Sequence, residues 1–275
     1  MASFLQVRSE NTQLMLLQNI KAMVLQIRTQ LFGSARRVFA TLLVAWFTLL
    51  AFFHLNPQID IAVARSFFYY EACAAGTSVS VVCGHFPYSD DAPLVFLREL
   101  FFYLPAAVAI AMLILLIREI VIRSAPSIRR VRDYGIAVSS MIIGPYILVN
   151  LFLKQVSDRP RPAQTDLFGG VMEFKPAAAF DGSCTNNCSF LSGEAAGGGW
   201  LACLVIFMPP HLRPVLGPPL VAIAMLPAAM RMSFGRHYLS DVTLGFLLPI
   251  VVYAGITALF QMTQSVKKSH SPATL

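Results

Sequence analysis

The chain has 275 residues, of which 56% are hydrophobic and only 13% are charged, and its formal net charge is +7. This composition excludes an ordinary soluble domain and indicates an integral membrane protein. A positive charge is compatible with nucleic-acid binding, but the basic residues stand in short segments beside apolar runs. Membrane orientation explains them better, so no nucleic-acid partner is expected.

The first 36 residues predict an amphipathic segment. Apolar residues recur there at helical spacing among polar and basic neighbours, at Leu16, Ile20, Met23, Val24, Ile27 and Leu31. We expect a helix that lies on the cytoplasmic leaflet; the alternative is a cytoplasmic segment that packs on the protein or frays. Because no small-residue cleavage site follows the first apolar run, that run is expected to be an uncleaved anchor.

Six apolar runs approach the roughly 20 residues that a helix needs to cross a bilayer. They cover about residues 38–54, 100–118, 134–153, 192–208, 215–230 and 242–261. We therefore predict an all-α polytopic membrane protein with six transmembrane helices. They form one domain, residues 37–264, followed by a short polar cytoplasmic tail, residues 265–275. An even number of spans places both termini on the same side.

Charged residues outside the runs separate by sign. The basic group, on the side of the termini, is Arg28, Arg36, Arg37, Arg118, Arg123, Arg129, Arg130, Arg132, Lys267 and Lys268. The acidic group, in the opposite loops, is Asp60, Glu71, Asp90, Asp91, Asp166, Glu173 and Asp181. Because cytoplasmic loops are enriched in Lys and Arg, the termini are predicted to be cytoplasmic.

Four of the five cysteines stand in pairs in the outer loops. Cys73 and Cys83 share the first outer loop, and Cys184 and Cys188 share the second. A periplasmic compartment is oxidising, so each pair is a candidate disulfide, with free thiols as the alternative. A zinc site is disfavoured, because Cys184 and Cys188 lack the further Cys or His ligands that a closed site needs.

Ionisable residues gather at the edges of the apolar runs. In chain order they are Lys154 with Arg161-Pro162, Ser192-Gly193-Glu194, and Arg231 with His237 and Asp241. Such residues at a bilayer edge usually mark a site that handles an ion or a charged substrate. Cations neutralise phosphoryl oxygens, a Ser-Gly turn donates hydrogen bonds, and a His can attack phosphorus. The pattern predicts an enzyme that acts on phosphate, with its site facing away from the cytoplasm.

His237 is the predicted nucleophile, because a neutral imidazole can form a covalent phosphoryl intermediate that water later resolves. Asp241 follows four residues later. If this segment is helical, both side chains share a face, and the carboxylate can hold one ring nitrogen while the other attacks.

The predicted phosphate-binding residues are Lys154, Arg161, Arg231, Ser192 and Gly193. The three cations would surround the phosphoryl oxygens, and the Ser-Gly pair would add hydrogen bonds. Taken singly, each cation could instead anchor a helix end at the lipid interface. Arg159 remains open between a second phosphate contact and the lipid surface, and Arg161 is favoured because of its distance from Lys154.

The spacing of these residues resembles that of a known family. Lys154 to Pro162 reads K-x-x-x-x-x-x-R-P, Leu191 to Glu194 stands where P-S-G-H is expected, and Arg231 to Asp241 reads R-x-x-x-x-x-H-x-x-x-D. Over about residues 95–261 this resembles the type 2 phosphatidic acid phosphatase (PAP2) superfamily. The resemblance implies a PAP2-type six-helix bundle, no metal or other cofactor, and the same roles for His237 and Asp241. It also implies substrates such as phosphatidic acid, phosphatidylglycerophosphate, polyprenyl diphosphate or lipid A.

The departures from that pattern are Leu191 for Pro, Met230 for Ser, and Glu194 for the His that protonates the leaving group. Glu194 could keep the acid role and later activate water if apolar surroundings hold it protonated. Alternatively, the leaving group needs little protonation, as in a diphosphate or an anomeric sugar phosphate. A third reading makes Glu194 a carboxylate that interacts with the dipole of a helix N-terminus.

The predicted function is that of an inner-membrane lipid phosphatase. It would remove a phosphate from lipid A, or from a related lipid phosphate or diphosphate, at the periplasmic face through a phosphohistidine. Its partners are the phosphorylated lipid and the bilayer. A phosphotransferase would use the same chemistry with a lipid acceptor. A carrier for phosphorylated compounds would instead need charges near the membrane midplane with access from both sides.

Overall fold

The computed structural model describes residues 34–74 and 82–269, with side chains described up to residue 262. Its helices, in chain order, are α1 (Ala35–Leu55), α2 (Pro57–Arg65), α3 (Ala92–Ile122), α4 (Ile128–Val156), α5 (Gly193–Cys203), α6 (Arg213–Ser233) and α7 (Leu239–Ser269). The all-α prediction is confirmed.

Five of these helices, α1, α3, α4, α6 and α7, are long and apolar enough to cross a membrane. The fourth predicted span corresponds to α5 and the 3-10 turn Leu204–Phe207 that follows it, which together make a shorter apolar helix. The structure therefore supports a multi-pass protein but does not establish the count of six spans. The predicted N-terminal amphipathic helix lies almost wholly outside the described residues. α7 continues to Ser269, beyond the start of the predicted polar tail, and the rest of that tail is outside them too.

Side-chain caps fix where three of the helices begin. Ser34 accepts a hydrogen bond from the amide of Arg37 at 3.4 Å, and Asp91 accepts one from the amide of Leu94 at 3.0 Å. Ser192 accepts one from the amide of Ala195 at 3.3 Å. Each cap satisfies a backbone donor that has no partner within its own helix. The last of these caps sets the start of α5, which lies at the candidate site.

α5 lies at the centre of the bundle, packed against α6 and α7, while α1 packs along the outside of α7. Its glycines allow this close approach. A Cβ atom on Gly199 would collide with the carbonyl oxygen of Phe246 in α7, and one on Gly198 with the carbonyl oxygen of Ala224 in α6. Trp200 is fully buried and donates its indole N–H to the carbonyl oxygen of Ala137 in α4 at 2.9 Å. α5 therefore connects three other helices.

α3 takes the opposite position, because none of the residues in its most apolar stretch is buried in the protein. An apolar helix surface that the protein covers only in part suits contact with lipid. At one end of the bundle, α2 and the short antiparallel strands β1 (Tyr69–Tyr70) and β2 (Gly84–His85) form a cap. Its aromatic cluster consists of Phe68, Phe86, Phe168 and Tyr238.

Candidate active site

His237 lies in the turn between α6 and α7. The turn is possible because Gly235 adopts a left-handed conformation, with φ of 63°, which favours glycine. The amide of Ala163 donates to the carbonyl oxygen of Gly235 at 3.0 Å. This bond brings the segment that carries Arg161 next to the His237 turn, although the two are far apart in sequence.

The imidazole of His237 is buried, with 2% of its side chain exposed. Its Nδ1 is 2.8 Å from the carbonyl oxygen of Ser189. A carbonyl oxygen only accepts hydrogen bonds, so Nδ1 carries the proton and Nε2 keeps its lone pair in the neutral ring. That is the tautomer a nucleophile needs.

Asp241 is not the direct partner of the imidazole, contrary to the expectation from i, i+4 spacing. α7 begins at Leu239, so His237 precedes the helix and the two side chains do not share a helical face. Asp241 Oδ2 is 3.8 Å from Nδ1 and accepts hydrogen bonds from the hydroxyl of Ser189 at 2.6 Å and the amide of Tyr238 at 2.9 Å. The carboxylate therefore holds Ser189, whose carbonyl oxygen orients the ring, and itself acts on the ring electrostatically.

The pKa of His237 is lowered to about 4, chiefly by burial, with smaller contributions from the positive charges of Lys154 and Arg231 and an opposing effect of Asp241. The imidazole is therefore neutral at neutral pH. A neutral ring with a free Nε2 lone pair is ready to attack phosphorus without first losing a proton.

A cavity of about 670 Å³ opens beside His237. Its polar wall consists of Arg98, Asn150, Lys154, Arg161, Asn187, Gly193, Glu194, Arg231 and His237. The apolar wall includes Phe101, Pro105, Met141, Pro145, Gly197, Leu201, Ala224 and Pro227. A cavity with one cationic and one apolar part has the chemistry of a site for an amphiphile with an anionic headgroup.

The three predicted phosphate-binding cations lie together in this cavity. Lys154 Nζ and Arg161 Nη2 both contact Asn187, at 3.4 Å to its side-chain oxygen and 2.7 Å to its carbonyl oxygen. Burial lowers the pKa of Arg161, and so does the charge of Arg236. Arg231 Nε is buried and makes no hydrogen bond of good geometry among the described residues, although it forms an ion pair with Glu194. A buried donor of this kind costs free energy unless a ligand satisfies it.

Ser192 and Gly193 have different positions. Ser192 is fully buried, and its hydroxyl caps α5, so it does not line the cavity as a phosphate donor. Gly193 does line the cavity, at the N-terminus of α5. A Cβ atom there would lie 2.7 Å from Asn150 Oδ1 and 3.4 Å from Lys154 Nζ. Glycine therefore leaves room for those two side chains and exposes the helix N-terminus, which suits an anion.

Glu194 is surrounded by cations rather than by apolar groups. Arg98 Nε donates to both of its carboxyl oxygens, at 3.1 and 3.3 Å, and Arg98 Nη2 contacts Oε1 as well. Arg231 Nε lies 3.3 Å from the same Oε1. Arginine donors to a carboxylate make charge-assisted hydrogen bonds. The apolar surroundings that were expected for Glu194 are therefore absent, and its place in the first turn of α5 agrees with the dipole reading.

Arg159 contacts neither the cavity nor the lipid surface, so both expectations for it are wrong. It is fully buried and forms ion pairs with Asp60 and Asp241, at 2.8 and 2.6 Å. Burial by itself lowers the pKa of Arg159, but the two carboxylates outweigh it and raise that pKa.

The structure contains two disulfides, which join the pairs that the loop positions suggested, Cys73 with Cys83 and Cys184 with Cys188. The second closes a short loop that presents Asn187 to Lys154 and Arg161. Within the described residues, no group of three or more His, Cys, Asp or Glu side chains is arranged to hold a metal ion.

Several site residues were missed by the sequence analysis. Arg98 carried a usable signal, because it stands at the edge of the second apolar run, where an ionisable residue usually marks a function. Asp60 was assigned only to the acidic loops, although it stands among apolar residues in a short helix. Nothing in the local sequence marks Ser189, Asn150 or Asn187, whose roles depend on contacts with distant segments.

The fold and the site together define a family. The family model described as the PAP2 superfamily matches residues 133–265. Curated relatives at 45% and 46% identity cover more than four fifths of the chain. The chain therefore belongs to the PAP2 superfamily and is a membrane-bound lipid phosphatase, a phosphoric monoester hydrolase. This confirms the resemblance and the enzyme class.

The relatives are named by their activity. A Rhizobium etli protein named lipid A 4′-phosphatase is 46% identical over 232 residues, 84% of this chain and 90% of that protein. A Rhizobium leguminosarum protein of the same name is 45% identical over 225 residues, 82% of this chain and 97% of that protein. The crystal structure of a transmembrane PAP2-type phosphatidylglycerolphosphate phosphatase from Bacillus subtilis aligns with a TM-score of 0.46 and 14% identity, covering 86% and 98% of the two chains.

Proposed function

We propose that the protein removes a phosphate from lipid A, or from a closely related lipid phosphate, through a phosphohistidine and without a metal ion. The observation that carries this proposal is the cavity in which the neutral imidazole of His237 lies beside Lys154, Arg161 and Arg231, with an apolar wall next to them. The names of the Rhizobium relatives support lipid A as the substrate.

The proposed site faces the periplasm. Arg98 is in the second turn of α3, Lys154 near the end of α4, and Arg231 in the last turn of α6, so the cavity lies at one end of these helices. The Arg-rich segment that joins α3 to α4 is at the other end of both helices. The positive-inside rule then favours a periplasmic site in the cytoplasmic membrane. A position at the helix ends also supports an enzyme over a carrier, which needs a midplane site.

In the first proposed step, His237 Nε2 attacks phosphorus. The N–P bond forms as the P–O bond to the lipid breaks, and the departing oxygen takes a proton from Glu194. Lys154, Arg161 and Arg231 stabilise the charge on the phosphoryl oxygens, and the N-terminus of α5 at Gly193 adds backbone donors.

In this mechanism Glu194 takes up a proton from solvent when substrate binds. The phosphate dianion competes with it for Arg231, and two anions side by side favour a neutral carboxyl group. After the first step the Glu194 carboxylate accepts a proton from water, whose oxygen attacks phosphorus. The N–P bond breaks, inorganic phosphate leaves, and His237 returns to its neutral form.

The test uses purified full-length protein in detergent, with a chelator present and lipid A as substrate, and measures inorganic phosphate release. Wild-type protein is expected to be active, and His237→Ala to lose more than about 1000-fold, as expected for removal of a nucleophile. Activity that requires an added metal ion would contradict the metal-free mechanism. An active His237→Ala would contradict the phosphohistidine.

A further inference from the structure

Behind His237, on the side away from the cavity, lies a buried cluster of two carboxylates and one guanidinium. Arg159 donates from Nη1 to Asp241 Oδ1 at 2.6 Å and from Nη2 to Asp60 Oδ2 at 2.8 Å. All three side chains are fully buried. Asp60 comes from α2, outside the residues that match the family model.

Several further contacts fix this cluster in one geometry. Asp60 accepts hydrogen bonds from the amide of Ser240 at 2.8 Å and from its hydroxyl at 2.5 Å. Arg159 also donates from Nε to the carbonyl oxygen of Lys175 at 2.9 Å and stacks over the ring of Tyr238, 4.3 Å from its centroid. These partners hold the guanidinium between the two carboxylates and prevent it from rotating to pair with only one of them.

The charge balance of the cluster explains the second carboxylate. With Asp241 alone, Arg159 would form a neutral pair, and little negative charge would act on the imidazole. With Asp60 present, two negative groups share one positive group, so the cluster carries a net formal charge of −1. The atom of the cluster's carboxylates that lies 3.8 Å from His237 Nδ1 is Asp241 Oδ2, so the negative charge acts on the imidazole mainly through this oxygen.

The negative charge of the cluster matters to His237 only during the reaction, because only then is the imidazole ring positively charged. When Nε2 gives its lone pair to phosphorus, the ring keeps its proton on Nδ1 and becomes positively charged. When water displaces it, the N–P bond breaks and the charge disappears. A negative charge held in a buried site stabilises the charged state far more than it would in water.

We propose that Asp60 is a positioning residue that acts through Arg159 and Asp241 to support the positive charge that forms on the His237 ring. This inference rests on the proposed function, because it assumes that His237 is the nucleophile. In this proposal Arg159 orients the Asp241 carboxylate and connects it electrostatically to Asp60. The helix α2, which carries Asp60, then contributes to catalysis.

The test replaces Asp60 by Asn, which has nearly the same shape and can still accept from Ser240 but carries no charge. We expect kcat on lipid A to fall by about 10- to 100-fold, the range for a lost electrostatic contribution to a transition state. We expect KM and the inhibition constant of inorganic phosphate to change by less than about threefold, because the cations of the cavity are intact.

The matched control is Glu119→Gln. Glu119 is also a buried carboxylate, held by Arg123 and Arg130 at 3.4 and 3.5 Å, but it lies at the opposite end of the molecule. It is expected to keep near-wild-type kcat when activity is expressed per folded protein. The inference would be overturned if Asp60→Asn kept the wild-type kcat. It would also be overturned if the substitution changed only KM and the inhibition constant of phosphate.

Asp60→Glu covers the case in which Asp60→Asn does not fold. It keeps the charge, and kcat is expected to stay within about tenfold of wild type, whereas a folded but inactive Asp60→Glu contradicts the inference. The proposed function fails separately, if wild-type protein releases no phosphate or His237→Ala releases as much. An active wild type together with an equally active Asp60→Asn removes only the role of Asp60.

Discussion

Ser189 contacts both His237 and Asp241 and so determines how the imidazole is held. Its carbonyl oxygen accepts from the imidazole, and its hydroxyl donates to the carboxylate. The backbone bond fixes the tautomer, and the carboxylate contributes charge from 3.8 Å. Orientation and electrostatic support of the ring thus come from two different groups.

The depressed pKa of His237 predicts a pH dependence of stability. The pKa is about 4 in the folded protein, against about 6.5 in an unfolded chain. Between these values only the unfolded chain binds the proton, so stability falls as pH decreases from about 6.5 to 4. The loss should approach about 3 kcal/mol.

Thermal unfolding in detergent, followed from pH 8 to pH 4, measures this effect against His237→Gln, whose side chain does not titrate. We expect the wild-type midpoint to fall more steeply than that of the variant across this window. Parallel curves would mean that His237 keeps an ordinary pKa in the folded protein.

The environment of Glu194 leads to a second prediction at this scale. For Glu194→Gln we expect activity on lipid A to fall about 100- to 1000-fold, because the leaving oxygen loses its proton donor. With nitrophenyl phosphate, whose leaving group departs unprotonated, we expect a burst of about one nitrophenol per site. Slow turnover should follow, because hydrolysis of the phosphohistidine lacks its base.

Rapid mixing with each substrate measures both phases. Glu99→Gln, at an exposed carboxylate of the same α3 that carries Arg98, is the control and should behave as wild type. An equal loss on both substrates without a burst would exclude proton transfer by Glu194.

At the scale of the helices, α5 controls how closely the bundle packs. For Gly199→Ala we expect a destabilisation of about 3 kcal/mol or more, because the added methyl collides with a backbone oxygen that cannot move without its helix. Gly135→Ala is the matched control, because a Cβ atom there meets nothing within 4 Å. It should be neutral or stabilising by up to about 1 kcal/mol.

Unfolding midpoints of both variants in detergent test this prediction. If the two alanine substitutions changed the unfolding midpoint equally, close packing of α5 against α7 would not determine the stability of the bundle.

The same helices show which parts of the structure were accessible from sequence. Apolar runs were sufficient for the five long helices, since these depend on residues close in the chain. The cations around His237 lie far from it in the chain, and they were grouped by the spacing within each motif and by the resemblance to the PAP2 superfamily. The start of α7 was not predicted, because whether His237 belongs to the helix depends on its turn. The Asp60–Arg159 pair joins residues 99 positions apart, and no local pattern encodes it.

At the scale of the whole molecule, the proposed orientation predicts which surfaces a membrane-impermeant thiol reagent reaches in intact cells. In a Cys203→Ala background, a cysteine at Val171, which is 94% exposed in the segment around the site, should be labelled. A cysteine at Ser124, which is exposed between α3 and α4, should be labelled only after the inner membrane is opened.

The labelled fraction in intact and permeabilised cells provides the measurement. If instead the cysteine at Ser124 were labelled in intact cells and the one at Val171 were not, the cavity would face the cytoplasm. That result would contradict the positive-inside assignment.

The pairing of Glu194 with Arg98 and Arg231 has a consequence for an enzyme that is surrounded by bulk phospholipids. Those lipids are phosphodiesters with at most one negative charge on the phosphate. They therefore compete weakly for guanidinium groups that are already paired with a carboxylate. A terminal phosphomonoester carries up to two charges and can displace it. We therefore expect the Glu194 carboxylate to disfavour binding of common phosphodiester lipids and to be displaced from the guanidinium groups by a phosphomonoester.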